Sequence, residues 1–164
     1  EVMDRALRAD EAPRRLAVVD RDMTECVVLG RGFNLATALE WALKLKELAM
    51  VHAQAYSSAD FEHGPVASFA PGADVLAVTA QGPLAPDMAR LIRRLTDERN
   101  GRALVVGDAA VRGASLMPFP AGLPEWLSPM VAILPAHLFT AALAEAKGLD
   151  VEHPPGLHKV TLTR

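Results

Sequence analysis

Short apolar runs alternate with longer helical patterns along this chain, and that alternation limits the possible folds more than any other feature. The runs at about Glu25 to Leu29, Ala53 to Ser57, Val75 to Thr79 and Ala103 to Val106 have the length of buried strands. Asn34 stands where a cap would start a helix reaching Val51, Asp60 to Ser68 reads as a short helix, and Pro86 to Asn100 as a charged amphipathic one. Gly30-Arg31-Gly32, Pro71-Gly72, Gly82-Pro83 and Asn100-Gly101 punctuate the series. Strand and helix in strict succession predict an α/β fold: a three-layer, flavodoxin-like domain with a mainly parallel five-stranded sheet. Ligands of such sheets bind beyond the carboxyl ends of the strands, where Gly30-Arg31-Gly32 falls. Residues 1–22 read as a helical arm, residues 23–164 as the domain proper, and its last segment as an extended tail.

The 164 residues, 51% hydrophobic and 23% charged, suffice for one real core and are too few for two ordinary domains. A net charge of −3 leaves no electrostatic footprint for nucleic acid, and Arg90, Arg93, Arg94 and Arg99 read as one face of a surface helix. The lone Cys26 sits in an apolar run, which excludes an internal disulfide and fits a buried thiol in a reducing compartment. Residues 1–22 are charge-rich and lack a signal-peptide core, so a cytoplasmic location is expected. The uncharged run Trp126 to Ala144 approaches membrane-spanning length, but Pro129, Pro135 and His137 interrupt it, and a buried helix is the expectation.

Chemistry concentrates in the first long helix. Leu35, Ala38, Leu39, Ala42, Leu43, Lys46, Ala49 and Met50 recur at helical spacing and predict an apolar stripe. Glu40, Lys44 and Glu47 fall on another flank as i,i+4 and i,i+3 neighbours. As a solvated ladder, such pairs stabilise a helix by roughly 0.2–0.5 kcal/mol each. Trp41, Leu48 and Val51 place large apolar groups beside them, which suggests a helix covered on both sides.

Two other chemistries find little support. In the glycine loop Leu35 replaces the third glycine of a dinucleotide fingerprint, and Tyr56-Ser57-Ser58 offers no acid for a ribose. His52, His63, His137, His153 and His158 form no i,i+4 pair and have no cysteine partner, so neither a metal nor any other cofactor is expected. His63 stands apart because Gly64-Pro65 holds it on a connection near the strand ends.

Five segments in order carry a family resemblance: Leu29-Gly30-Arg31-Gly32, Ala38 to Glu47 (ALEWALKLKE), His52-Ala53-Gln54-Ala55-Tyr56, Glu62-His63-Gly64-Pro65, and Asp150-Val151-Glu152-His153-Pro154 with Leu157-His158-Lys159-Val160-Thr161. Together they resemble the second sugar isomerase (SIS) domain of the glucosamine-6-phosphate synthase family, from about Thr24 to Arg164. The resemblance implies a phosphosugar enzyme: an aldose–ketose isomerase, or a deaminase or deglycase of amino-sugar phosphates. It implies that Glu47 carries a proton between C1 and C2 and that Lys44 is the lysine beside it. His63 matches a ring-opening histidine that reaches the site from a partner subunit, which implies a homodimer. Lys159 matches a lysine that attacks the open-chain carbonyl or steadies the enediol oxygens, and His158 offers its backbone to the ligand.

The departures have implications too. Ser57 to His63 (SSADFEH) differs from the synthase form and, with the ending Lys159 to Arg164, leans toward the deaminase and deglycase relatives. Trp41 adds bulk beside Lys44. The Ser/Thr-rich phosphate loop of a first SIS domain has no counterpart in these residues, and neither has an amidotransferase cysteine. The expectation is therefore a C-terminal catalytic half, weakly active by itself and in need of a first SIS domain. The alternative is a non-catalytic SIS module that binds a sugar phosphate for regulation or assembly; such a module needs no base at Glu47.

Overall fold

A computed structural model of the chain describes residues 1–156. Strands β1 (Glu25–Gly30), β2 (His52–Ser57), β3 (Asp74–Thr79), β4 (Arg102–Gly107) and β5 (Ala114–Pro118) form one parallel sheet in the order β2-β1-β3-β4-β5. Every pairing is parallel, as the strand–helix succession predicts. Side chains alternate across the sheet, so each strand feeds two cores. Val28, Leu76, Val78, Leu104 and Val106 join one core, and Leu29, Val75, Ala77, Ala103 and Val105 join the other.

Helices α1 (Val2–Arg8), α2 (Glu11–Val19), α3 (Leu35–Ala49) and α6 (Ser128–Ala146) cover the first face. The short α4 (Ser58–Glu62) and the amphipathic α5 (Ala85–Arg99) cover the second, with Phe61, Phe69, Met88, Leu91, Ile92 and Leu95 buried there. The expected single arm is two helices parted at Ala9-Asp10, and Ala6, Leu16 and Ala17 are buried in the same core as α3 and α6.

Several boundaries differ from the sequence reading for local reasons. The helix expected over Asp60 to Ser68 stops at Glu62 and resumes as a 3₁₀ turn over Pro65–Ser68, because Pro65 has no N–H and disfavours helical geometry in the residue before it. Helix α3 ends at Ala49, where Met50 turns left-handed (φ 53°) and the Val51 N–H closes on the Leu45 carbonyl. Asn34 precedes α3, yet its side chain does not cap the helix. Its Nδ2 donates to Ser128 Oγ at 2.8 Å, its Oδ1 accepts from Thr37 Oγ1 at 3.3 Å, and the starts of α3 and α6 are tied together.

The apolar run at the C-terminal end forms one continuous helix with Pro135 inside it. This helix, with its leading turn, is long and apolar enough to span a membrane, but 56% of its apolar window is buried within the domain. It packs against α1, α2 and α3.

The predicted stripe of α3 divides. Ala38, Trp41, Ala42, Leu45 and Ala49 face inward, whereas Leu39, Leu43 and Met50 are exposed. Trp41 belongs to the buried face, in edge-on contact with Phe139 of α6 at 6.0 Å between ring centres. It fills core volume instead of enlarging the surroundings of Lys44, and the helix is covered on one side only.

Candidate functional site

Glu40, Lys44 and Glu47 line the border of α3 that faces α6, between its buried and exposed faces. Lys44 Nζ donates to Glu47 Oε2 at 2.6 Å, and Glu40 Oε1 lies 3.8 Å from the same ammonium. From α6, His137 Nε2 comes within 3.4 Å of Glu40 Oε1. The result is a continuous row of polar groups, His137, Glu40, Lys44 and Glu47, with side chains 27–43% exposed. The hydrogen bond to Glu47 holds the Lys44 ammonium above its ordinary range; partial burial opposes this, and the charges of Glu47 and Glu40 add to it. A carboxylate held by a fixed ammonium, half out of water and reachable from the surface, is suited to accepting and returning a proton.

The Gly30-Arg31-Gly32 loop and this row stand at opposite ends of α3. Gly32 lies at the start of α3, and Glu47 is twelve residues beyond Leu35, about 18 Å along the helix axis at 1.5 Å per residue. The crevice at the strand ends, bordered by Arg31, Asn34, Thr79 and Glu125, is about 20 Å³, too small for a phosphosugar. Glu125 further disfavours an anion there. A Cβ on Gly82 would stand 3.1 Å from Glu125 Oε2, and one on Gly32 would stand 3.5 Å from Oε1, so a carboxylate occupies the mouth of the loop.

His63 is exposed just after α4. The sheet separates it from α3, since Phe61 of α4 is buried in one core and the inward face of α3 in the other. A single chain therefore does not bring His63 to Glu47. Near His63 a cavity of about 130 Å³ opens along β2, lined by His52, Gln54, Tyr56, Phe61 and Pro65 among others. His158 and Lys159 lie outside the described residues. Among the described residues no three histidine, cysteine or acidic side chains gather as a metal site. Burial pushes the Cys26 thiol far up, in keeping with an inert core residue.

The residue that sequence reasoning passed over is His137. Read alone it is a histidine in an apolar helix, and only the packing of α6 on α3 sets it against Glu40.

The fold is a doubly wound α/β domain, and this row of titratable side chains stands on a helix flank, away from the strand-end crevice. The chain belongs to the SIS domain family, whose model matches residues 21–111. It is 31% identical to a glutamine–fructose-6-phosphate aminotransferase [isomerizing] of Methanothermobacter thermautotrophicus over 97% of this chain and 28% of that protein. With the enzyme of the same description from Legionella pneumophila (strain Paris) it shares 33% identity over 95% of this chain and 26% of the relative. The chain thus spans about a quarter of the length of these curated relatives. Among solved structures, the C-terminal domain of glucosamine–fructose-6-phosphate aminotransferase from Francisella tularensis superposes with a TM-score of 0.82 at 26% identity, covering 92% of this chain and 43% of that one. A glucosamine-6-phosphate deaminase from Thermotoga maritima shares the fold at 22% identity, with a TM-score of 0.71 over 93% of this chain and 45% of the other.

Proposed function

We propose that this chain is the C-terminal catalytic half of a phosphosugar enzyme, an aldose–ketose isomerase or amino-sugar-phosphate deaminase acting on substrates of the fructose-6-phosphate or glucosamine-6-phosphate kind. The observation that carries the reading is the Lys44–Glu47 contact at 2.6 Å on the accessible border of α3. Similarity to aminotransferases [isomerizing] over nearly the whole chain supports the choice of substrate class.

In this reading Glu47 takes a proton from one of the two carbons C1 and C2, an enediolate or its nitrogen analogue forms, the proton on the neighbouring heteroatom passes to the former carbonyl oxygen, and Glu47 returns its proton to the other carbon. Lys44 keeps the carboxylate in place between the two transfers. Lys159 steadies charge on the ligand oxygen or adds to its carbonyl, and His158 contributes backbone contacts. His63 opens the sugar ring in the site of a partner subunit, so the active form is a homodimer; its place across the sheet from α3 agrees with supply from a second chain. The crevice guarded by Glu125 leaves phosphate binding to a first SIS domain outside these residues. The reading assigns the protein to the cytoplasm, with neither nucleic acid nor membrane as partner.

The test joins the chain to a first SIS domain bearing a Ser/Thr-rich loop and follows solvent-proton exchange at C2 of fructose-6-phosphate and glucosamine-6-phosphate. Exchange is expected in the joined protein and is abolished by Glu47→Gln. Undiminished exchange in that variant removes Glu47 from the mechanism, and sugar-phosphate binding without any exchange favours the non-catalytic module.

A further inference from the structure

His137 presents a contradiction that its surroundings resolve. Its side chain is 43% exposed, yet Nε2 is out of contact with solvent and has no hydrogen-bond partner among the described residues. The ring is thus turned so that its inner nitrogen faces Glu40 Oε1 across 3.4 Å, just beyond a good hydrogen bond. A buried ring nitrogen left unpartnered is costly, and Glu40, 39% exposed, has the rotamer freedom to close the gap. A bare Nε2 lone pair would confront carboxylate lone pairs, so the contact favours the ring forms that carry a proton on Nε2. The ring also has a firm base: its helix neighbours Pro135, Ala136 and Phe139 are all buried.

Lys44 stands between two carboxylates that compete for one ammonium, Glu47 at 2.6 Å and Glu40 at 3.8 Å. We propose that His137 is a positioning residue which engages Glu40 from α6 and so leaves the Lys44 ammonium committed to Glu47. The inference rests on the assignment of Glu47 as the proton carrier. His137 touches neither the ammonium nor Glu47; it acts through Glu40. Its loss frees Glu40 to take the ammonium, and the effect falls on the proton-transfer step rather than on the hold on the sugar.

Two measurements test this. In the 164-residue chain, a double-mutant cycle between His137→Leu and Glu40→Gln, read by urea unfolding, is expected to be non-additive by more than about twofold in the unfolding constant. In the protein joined to a first SIS domain, His137→Leu is expected to lower kcat about tenfold with KM changed less than about twofold, and His137→Gln, which keeps an N–H donor at similar reach, to restore most of it. An additive cycle, a rise in KM alone, or failure of the glutamine to rescue overturns the proposal. If the joined wild type shows no turnover, the functional reading falls and this positioning role with it. An additive cycle beside normal turnover overturns the His137 role alone.

Discussion

Lys44 Nζ lies 2.6 Å from Glu47 Oε2 and 3.8 Å from Glu40 Oε1, so one ammonium is shared unequally by two carboxylates on the same helix. The sequence spacing permits either pairing, i,i+3 or i,i+4. In the fold the i,i+3 contact is the closer, and His137 of α6 meets the other carboxylate, Glu40.

The first expectation concerns the energetic size of that contact. Both partners are partly exposed, so Lys44→Met should cost only about 0.3–0.5 kcal/mol at pH 7. Because the folded state holds Lys44 above its ordinary 10.5, the contribution is complete below that value and is lost as pH rises through the folded one. Urea unfolding of both forms from pH 7 into the alkaline range checks this; the difference should be constant well below 10.5 and shrink as pH rises beyond it.

Arg102 bridges Asp20 at 3.3 Å and Asp74 at 2.7 Å, and those side chains are only 8% and 10% exposed. Burial holds the Asp20 carboxyl above its usual range, Arg102 draws it back, and Asp74 pushes with the burial. Arg102→Met strands both charges and should destabilise by about 3 kcal/mol at neutral pH. A carboxyl with a raised folded value favours the fold when protonated, and that advantage is lost as pH climbs through the value. The deficit should therefore shrink toward pH 4, as thermal unfolding across pH will show.

Two glycines should respond oppositely to alanine. A Cβ on Gly30 would meet the Asn34 carbonyl oxygen at 2.4 Å and Leu35 Cα at 2.8 Å, backbone atoms of the strand-to-helix turn that cannot yield. Gly30→Ala should cost about 3 kcal/mol. Nothing lies within 4 Å of a Cβ built on Gly64, so Gly64→Ala meets no steric clash and should cost far less than Gly30→Ala.

Trp41 gives a graded series. It is fully buried, and its indole N–H has no partner among the described residues. Trp41→Phe removes that orphaned donor while keeping a ring against Phe139, and should cost about 1 kcal/mol. Trp41→Ala opens a cavity and should cost about 3–5 kcal/mol. Equal costs for the two would show that ring packing counts for little.

Complementation tests the proposed sharing of sites between subunits. In a joined protein, chains carrying Glu47→Gln and chains carrying His63→Ala should each be inactive. A random mixture should recover about a quarter of wild-type turnover, because half the dimers are mixed and each mixed dimer holds one intact site. No recovery after verified subunit exchange would place His63 in its own chain's site, and an active His63→Ala parent would put it outside the mechanism.

The α/β class, the parallel sheet and four of its strands were legible in the sequence, because a strand buried on both faces must read as an unbroken apolar run and a helix as a 3.6-residue period. So were the neighbours on one helix: Glu40, Lys44 and Glu47 adjoin through spacing that any α-helix imposes. Burial was not legible. Leu39, Leu43 and Met50 satisfy the apolar period as well as Trp41 and Leu45 do, and only the seating of α6 decided which set is covered. The short helix after β2 ends before the sequence predicts, because the apolar pattern continues past Pro65 and the backbone chemistry does not.

The amino-acid sequence by itself determined the local elements and which charges share a turn, since both depend on covalent geometry and near neighbours. Tertiary structure alone decided that Asn34 bonds Ser128 instead of capping its helix, that Glu125 fills the strand-end crevice, and that His137 meets Glu40. Each of these joins residues far apart in the chain, and their encounter depends on how whole helices pack, which no local pattern encodes.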